Sequence, residues 1–372
     1  MIVENPVRIV FDEDRSEGIS TFLDGRTACV VTTPGSARRG IVDQLFQGPG
    51  AAPQVFTGVH PNPTIESIVN GAEAVMRERP EVLVAIGGGS AMDTAKGIAA
   101  LSSIGDNRGW LGDHLRNGAP FPDDFAPLPI IAVPTTAGTG SEVTMWATVW
   151  DETTGTKYSL SHPALYAEVA LLIPELTLSM SRDLTLITGL DALSHCLESM
   201  WNRKANAQSD GFASAGIQKI LRSLPRVLEA PDDLIERREM QHAALLGGLA
   251  ISSTATALAH SMSYPLTSRL GMPHGLACSF TLPSLMRFNA DSSPERMLVI
   301  ADAIGTNNVS DAADVLEARF SEWGVKDRAR QFFNGHRVAD MQELLLTPSR
   351  AGNNLKAATT ADAVEIIERS LA

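Results

Sequence analysis

Three short apolar runs, each closed by a turn of glycine, proline or threonine, confine this chain to a narrow set of folds. Thr27 to Thr33 (TACVVTT) is apolar and β-branched and breaks at Pro34-Gly35. Glu81 to Ile86 (EVLVAI) runs into Gly87-Gly88-Gly89-Ser90, and Pro129 to Val133 (PIIAV) runs into Pro134-Thr135-Thr136. Unbroken apolar runs of this length suit strands covered on both faces. The helical pattern from Pro63 to Arg79 supplies the crossover that a parallel pair requires. Residues 1–180 are therefore expected to form an α/β domain on a parallel sheet. Beyond Arg182 strand-like runs nearly vanish. Helical patterns follow over Asp183 to Arg203, Ala207 to Leu224, Asp232 to Ser263, a stretch after Pro273, and shorter segments to the end. Residues 181–372 read as an all-helical second domain, since 372 residues exceed what one core accommodates.

Charge restricts the partners. A formal net charge of −13 argues against nucleic acid and against anionic membrane surfaces. It leaves room for an anionic small molecule at a locally positive site. Three cysteines suit a reducing compartment. Met1-Ile2-Val3-Glu4-Asn5 lacks a basic or apolar leader pattern, and no run reaches the roughly 18 apolar residues of a spanning helix. A soluble, cytoplasmic protein is the expectation.

Two loops and one helix carry the chemistry. Gly87 to Ser90 sits where a strand hands over to a helix, Ala91 to Leu101. Glycines there let backbone approach a pyrophosphate, and Ser90 is expected to cap a helix whose N-terminus favours an anion. The spacing is not G-x-G-x-x-G, so turn chemistry alone also accounts for it. Thr135 to Glu142 (TTAGTGSE) follows another buried strand and suits the same crevice at the carboxyl ends of the strands. Asp191 and His195 stand four apart on a helical pattern, so they share one face. With His260 and His274 they supply one oxygen and three nitrogens, a donor set suited to Fe(II) or Zn(II). The same spacing is common on solvated helix faces, and His260 lies among small and apolar residues where a core histidine is equally at home. The residues alone leave both readings open.

Asn62-Pro63-Thr64, GGGSAMDTAK (87–96), PTTAGTGSEVT (134–144), GLDALSH (189–195) and Pro273-His274-Gly275 follow one another in an order and spacing that resembles the iron-containing (group III) alcohol dehydrogenases. The resemblance covers most of the chain. It implies a Rossmann-like NAD(P)-binding α/β domain, a helical metal-binding domain and an active site in the cleft between them. It also implies a homodimer. The metal ligands would be Asp191, His195, His260 and His274. The cofactor would meet Thr33, Asn62, Gly87, Gly88, Gly89, Ser90, Asp93, Thr135, Thr136, Thr139 and Lys157. The implied chemistry is reversible hydride transfer between NAD(P)H and an aldehyde or alcohol, with Fe(II), or Zn(II), as Lewis acid.

Two positions depart from the family pattern. Thr33 stands where many relatives carry an aspartate toward the adenosine ribose, and Arg38 and Arg39 are close by, so NADPH is expected to be accepted. Tyr264 stands where relatives carry a histidine, and a proton-donating role is one reading of it. Further stretches, among them 146–151, 197–202, 263–269 and 274–283, resemble the phosphonoacetaldehyde reductase (2-hydroxyethylphosphonate dehydrogenase) branch. A phosphonate head group needs cations near the metal. Arg269 is the first choice, on an expected metal-proximal loop, with Arg203 and Lys204 as others. Short-chain alcohol dehydrogenase and sulfoacetaldehyde reductase remain alternatives. A maleylacetate reductase is disfavoured by the full ligand quartet, and a dehydroquinate-synthase-like cyclase by that quartet together with Thr135-Thr136.

Overall fold

The apolar runs of the first half become the interior of a parallel sheet. The computed structural model describes residues 5–11, 18–47, 52–104 and 107–372. Of these, 5–136 and 141–179 cluster as one unit, and 137–140 with 180–372 as another. The first unit carries β1 (Arg8–Phe11), β2 (Ala28–Thr32), β3 (Gln54–Phe56), β4 (Val82–Gly87), β5 (Ile130–Pro134), β6 (Trp146–Asp151), β7 (Thr156–Ser161) and β8 (Val169–Leu172). Its helices are α1 (Ser20–Leu23), α2 (Pro34–Arg38), α3 (Ile41–Leu45), α4 (Ile65–Met76), α5 (Gly89–Ser102) and α6 (Asn107–Asn117). Six strands pair in the order β1-β8-β5-β4-β2-β3, all parallel. Val82, Val84, Ile86, Ile131 and Val133 are fully buried in it, each contributing about 1.5–3 kcal/mol of hydrophobic stabilisation.

Strand order says where a ligand goes. From β3 to β8 the sequence of strands is the flavodoxin-like doubly wound order, a variant of the dinucleotide fold expected from the motifs. The chain reverses its direction of travel between β2 and β4, and open sheets bind ligands outside the carboxyl ends at such a point. Thr32 pairs with Ile86 and Gly87 with Pro134, so the ends of β2, β4 and β5 are level. The run at 27–33 is the second strand, because β1 precedes it, and Thr33 lies just past its end. The sequence pattern also missed the antiparallel hairpin β6–β7 and the short strand β8.

The second unit is helical, with no named strand among its described residues. Its helices are α7 (Arg182–Met200), α8 (Ala207–Glu229), α9 (Leu234–Thr254), α10 (Leu258–Leu270), α11 (His274–Ala277), α12 (Leu282–Asn289), α13 (Pro294–Ile304), α14 (Val309–Glu322), α15 (Val325–Phe332), α16 (Pro348–Ala351) and α17 (Thr360–Leu371). Ser181 caps α7 through the Leu184 N–H. From Thr188 to Met200 every residue of α7 is buried, the mark of a helix enclosed on all sides. α8 continues through Pro225 to Glu229 instead of stopping at Leu224. Among the described residues no single helix is long and apolar enough to cross a membrane.

The largest departure from the sequence pattern bears on function. The helix expected over Asp232 to Ser263 is two helices, α9 and α10, meeting at a 107° bend. Ala255 takes a left-handed φ of +60°, a strained value for a residue with a Cβ. Side chains answer the carbonyls freed there: Asn202 Nδ2 donates to Ala255 O at 3.1 Å and Asn353 Nδ2 to Thr256 O at 2.8 Å. The bend lets α10 begin beside α7.

Candidate functional site

α7 presents Asp191 and His195 from one face, with His195 Nε2 3.6 Å from Asp191 Oδ1. α10 brings His260 to the same oxygen, Nε2 to Oδ1 at 3.8 Å. His260 stacks on His195 with centroids 5.0 Å apart and meets His274 edge-on at 5.2 Å. The four residues read from the sequence thus lie together. A fifth group joins them: Cys278, the C-cap of α11, whose Sγ donates to Asp191 Oδ1 at 3.3 Å. Asp191, His260, His274 and Cys278 each offer a ligand atom within 4.8 Å of the others. Gly275 explains how α11 comes so near: a Cβ there would lie 2.2 Å from Ile187 O. Ser194 Oγ also donates to Cys278 O at 2.9 Å, tying α11 to α7.

Glu198 sets the chemistry of this cluster, and sequence reasoning missed it. Fully buried on α7, it accepts from the Ala259 N–H at 2.6 Å and the His260 N–H at 3.2 Å through Oε1, capping the first turn of α10. Its Oε2 accepts from His260 Nδ1. A carboxylate can only accept, so Nδ1 carries the imidazole proton and Nε2 presents a lone pair. That Nε2 is buried with no hydrogen-bond partner, which costs about 1–3 kcal/mol when nothing meets it. A carboxylate behind a histidine whose other nitrogen faces an acid is the arrangement of a metal ligand. The donor set fits a divalent cation. Burial pushes the Asp191 pKa up, but His195, His274 and His260 outweigh it and hold the carboxyl below its usual value. Burial, against the pull of Asp191, lowers that of His195. Both shifts favour the ligating forms, carboxylate and neutral imidazole.

In the first unit the expected phosphate loop follows β4. Gly87 has φ of +154°, and a Cβ there would lie 2.7 Å from that of Ala91, so only glycine makes this turn. The N-cap of α5 is Gly88, not Ser90, and no side chain bonds the first N–H groups. Ser90 lies within the first turn, its carbonyl accepting from Thr94 Oγ1. The expected serine cap is absent, leaving a 14-residue helix with open N–H groups suited to an anion.

Around this loop the other expected cofactor residues separate into groups. Thr135 and Thr136 follow β5, and Thr136 abuts Gly88. Thr33 caps α2 by accepting from the Ser36 N–H, and Arg39 donates to Ser36 Oγ at 3.1 Å. Asn62 is exposed in a left-handed conformation before the Thr64 cap of α4. Asp93 is engaged within the protein, accepting from Ser141 Oγ at 2.8 Å and the Thr148 N–H at 3.0 Å. Lys157, on β7, helps offset the burial that raises the Asp93 pKa. Lys96, a further residue of the motif, is buried and donates to Ser141 O, Ser141 Oγ, Thr144 Oγ1 and Trp146 O. Burial lowers its pKa to about 8. Thr139 does not stay with this group: residues 137–140 belong to the helical unit, so the expected second loop is divided.

The cations expected near the metal need correction. Arg269 is not on a loop but exposed in the last turn of α10. It stands nine residues after His260, about 2.5 turns, which directs it to the opposite face. α7 ends at Met200, before Arg203 and Lys204, and Arg203 Nε donates to Asn354 O at 2.9 Å. Tyr264, one turn after His260 on the same face, is half-buried, and its hydroxyl accepts from Arg350 Nε at 3.2 Å. Arg350, on α16, is thus the guanidinium adjoining the ligand-bearing face of α10.

Family models agree with both units. The description "Iron-containing alcohol dehydrogenase" matches residues 6–174, and "Fe-containing alcohol dehydrogenase family, C-terminal" matches residues 185–370. The 1,3-propanediol dehydrogenase of Citrobacter freundii is 32% identical over 94% of this chain and 92% of its own length. The phosphonoacetaldehyde reductase of Streptomyces viridochromogenes is 38% identical over 70% of this chain and 66% of its own. Among solved structures, the sulfoacetaldehyde reductase of Bifidobacterium kashiwanohense in complex with NAD+ superposes with a TM-score of 0.89 at 29% identity, covering 100% of this chain and 99% of that one.

Proposed function

The chain belongs to the iron-containing alcohol dehydrogenase family, and from that membership we propose that it reduces a short aldehyde with an anionic head group, phosphonoacetaldehyde first, to the alcohol. The observation that carries the reading is the cluster of buried Asp191, His195 and His260 with half-buried His274, the His260 Nε2 lone pair being directed by Glu198 and unmatched by any donor. When bound, the divalent ion supplies a Lewis acid for the substrate oxygen and NAD(P)H supplies the hydride.

The chain's own groups do the rest. Gly87 to Gly89 admit the cofactor diphosphate, and the open N-terminus of α5 favours its charge. Asp93 and Lys96 hold the segment 141–148 against α5. Asn62, Ser90, Thr135, Thr136, Thr139 and Lys157 are assigned to the cofactor on the family pattern. Thr33 adds no carboxylate where a 2′-phosphate would sit, so NADPH is accepted. The Tyr264 hydroxyl, polarised by Arg350, donates a proton to the product oxygen. Arg350 takes over from Arg269 as the partner for an anionic head group, because a guanidinium matches phosphonate geometry. The relative that reduces phosphonoacetaldehyde supports this substrate class, and the sulfoacetaldehyde reductase supports sulfonate as the second reading. Family membership supports a homodimer in solution.

A metal-reconstituted screen of phosphonoacetaldehyde, sulfoacetaldehyde and neutral short aldehydes, following NADPH and NADH consumption, tests the reading. Higher kcat/KM for the anionic aldehydes is expected, with Arg350→Met erasing the difference. Preference for neutral aldehydes overturns the substrate class and leaves the dehydrogenase standing.

A further inference from the structure

Cys278 is the one member of the cluster around Asp191 for which the expected ligand quartet has no place. Its backbone N–H donates to His274 O at 2.9 Å, closing a helical turn, so His274 and Cys278 leave the same face. The pair repeats on α11 the spacing of Asp191 and His195 on α7. Cys278 Sγ lies 3.3 Å from Asp191 Oδ1, the same oxygen that His195 Nε2 approaches at 3.6 Å and His260 Nε2 at 3.8 Å. Two ligand atoms on one ion, at about 2.1 Å for oxygen and about 2.3 Å for sulfur, stand about 3.1 Å apart at a right angle and about 3.6 Å apart at the tetrahedral angle. Sulfur and both nitrogens therefore keep ligand-to-ligand spacing around one carboxylate oxygen. The second sign of a ligand is independent: His260 Nε2, 3.8 Å from that oxygen, is buried and without a partner.

We propose that Cys278 Sγ is a metal ligand of this site and biases it toward the more thiophilic Zn(II) over Fe(II). The inference rests on the metal-site reading of the proposed function. Coordination forms a metal–sulfur bond and releases the thiol proton to solvent, and a thiolate among imidazoles favours zinc. Asp191 and the histidines alone would leave the choice to availability.

The test uses the full chain loaded with Zn(II) and, separately, with Co(II). Zinc-edge X-ray absorption is expected to show a sulfur shell at about 2.3 Å beside nitrogen and oxygen at about 2.0–2.2 Å. The cobalt form is expected to carry a near-ultraviolet sulfur-to-cobalt charge-transfer band. Cys278→Ser and Cys278→Ala should both remove these signatures and weaken Zn(II) binding by about tenfold or more, with a smaller change for Fe(II). The wild-type spectra need no variant and so stand whether or not a substitution disturbs folding. Bound ion with a nitrogen and oxygen shell only overturns the role of Cys278 and leaves the metal site intact. Failure to take up any ion overturns both.

Discussion

Replacing Glu198 by glutamine should change a proton's position rather than the fold, and thereby disable a ligand three helices further along the chain. Glu198 accepts three N–H groups: those of Ala259, His260 and His260 Nδ1. Glu198→Ala would strand all three, at roughly 1–3 kcal/mol each, about 3–9 kcal/mol against the 5–15 kcal/mol that typically holds a domain. That variant should be strongly destabilised. In Glu198→Gln the carbonyl oxygen keeps both backbone donors, but the amide NH2 now confronts Nδ1–H. The imidazole relieves this by moving its proton to Nε2, and a protonated Nε2 cannot ligate. Restoring the ligating tautomer turns the amide N–H and Nδ1–H on each other, at about 1–3 kcal/mol for each buried donor left unsatisfied, or roughly 30-fold or more in metal affinity. Competition of Zn(II) against a chromogenic chelator measures the loss, and 15N-histidine NMR of the metal-free protein reads the tautomer. A folded variant with zinc affinity within about twofold of wild type would refute the argument, since the opposed donors predict roughly 30-fold or more.

Three further perturbations follow from the packing. Gly275→Ala places a methyl 2.2 Å from Ile187 O, so α11 must move off α7. Destabilisation of about 1–3 kcal/mol with weakened metal uptake is expected, and wild-type values in chemical denaturation and metal titration would contradict it. Lys96, at about 8 in the fold against 10.5 otherwise, binds fewer protons folded than unfolded between those values. Its contribution to stability therefore rises as pH climbs from about 8 to about 10.5. Lys96→Met, which leaves Asp93 and Glu142 without their buried counter-charge, should flatten that rise. Parallel urea-denaturation series with equal slopes would reject a titrating Lys96. Thr33→Asp keeps an N-cap acceptor for α2 but adds repulsion toward a 2′-phosphate. The ratio of kcat/KM for NADPH over NADH should fall about tenfold or more. An unchanged ratio would remove Thr33 from cofactor choice.

What the sequence made legible follows from the range of the interactions involved. Parallel strands at 82–87 and 130–134 announce themselves because both faces are apolar, and Asp191 with His195 is a one-turn pattern. The partners of those residues are non-local. Glu198 acts on His260 across 62 positions, and only because α9 and α10 part at Ala255-Thr256-Ala257. That stretch holds neither glycine nor proline, and its bend is held by Asn202 and Asn353 from elsewhere in the fold. Helical periodicity therefore runs unbroken through the bend. The same continuation of α10 turns Arg269 away from His260, while Arg350, 86 positions from Tyr264, adjoins the Tyr264 hydroxyl. Cys278 is the instructive exception. Its four-residue spacing from His274 is as visible as that of Asp191 from His195. Where one ligand pair sits one turn apart, the turn after every other candidate ligand should be read for a donor of any element, sulfur included.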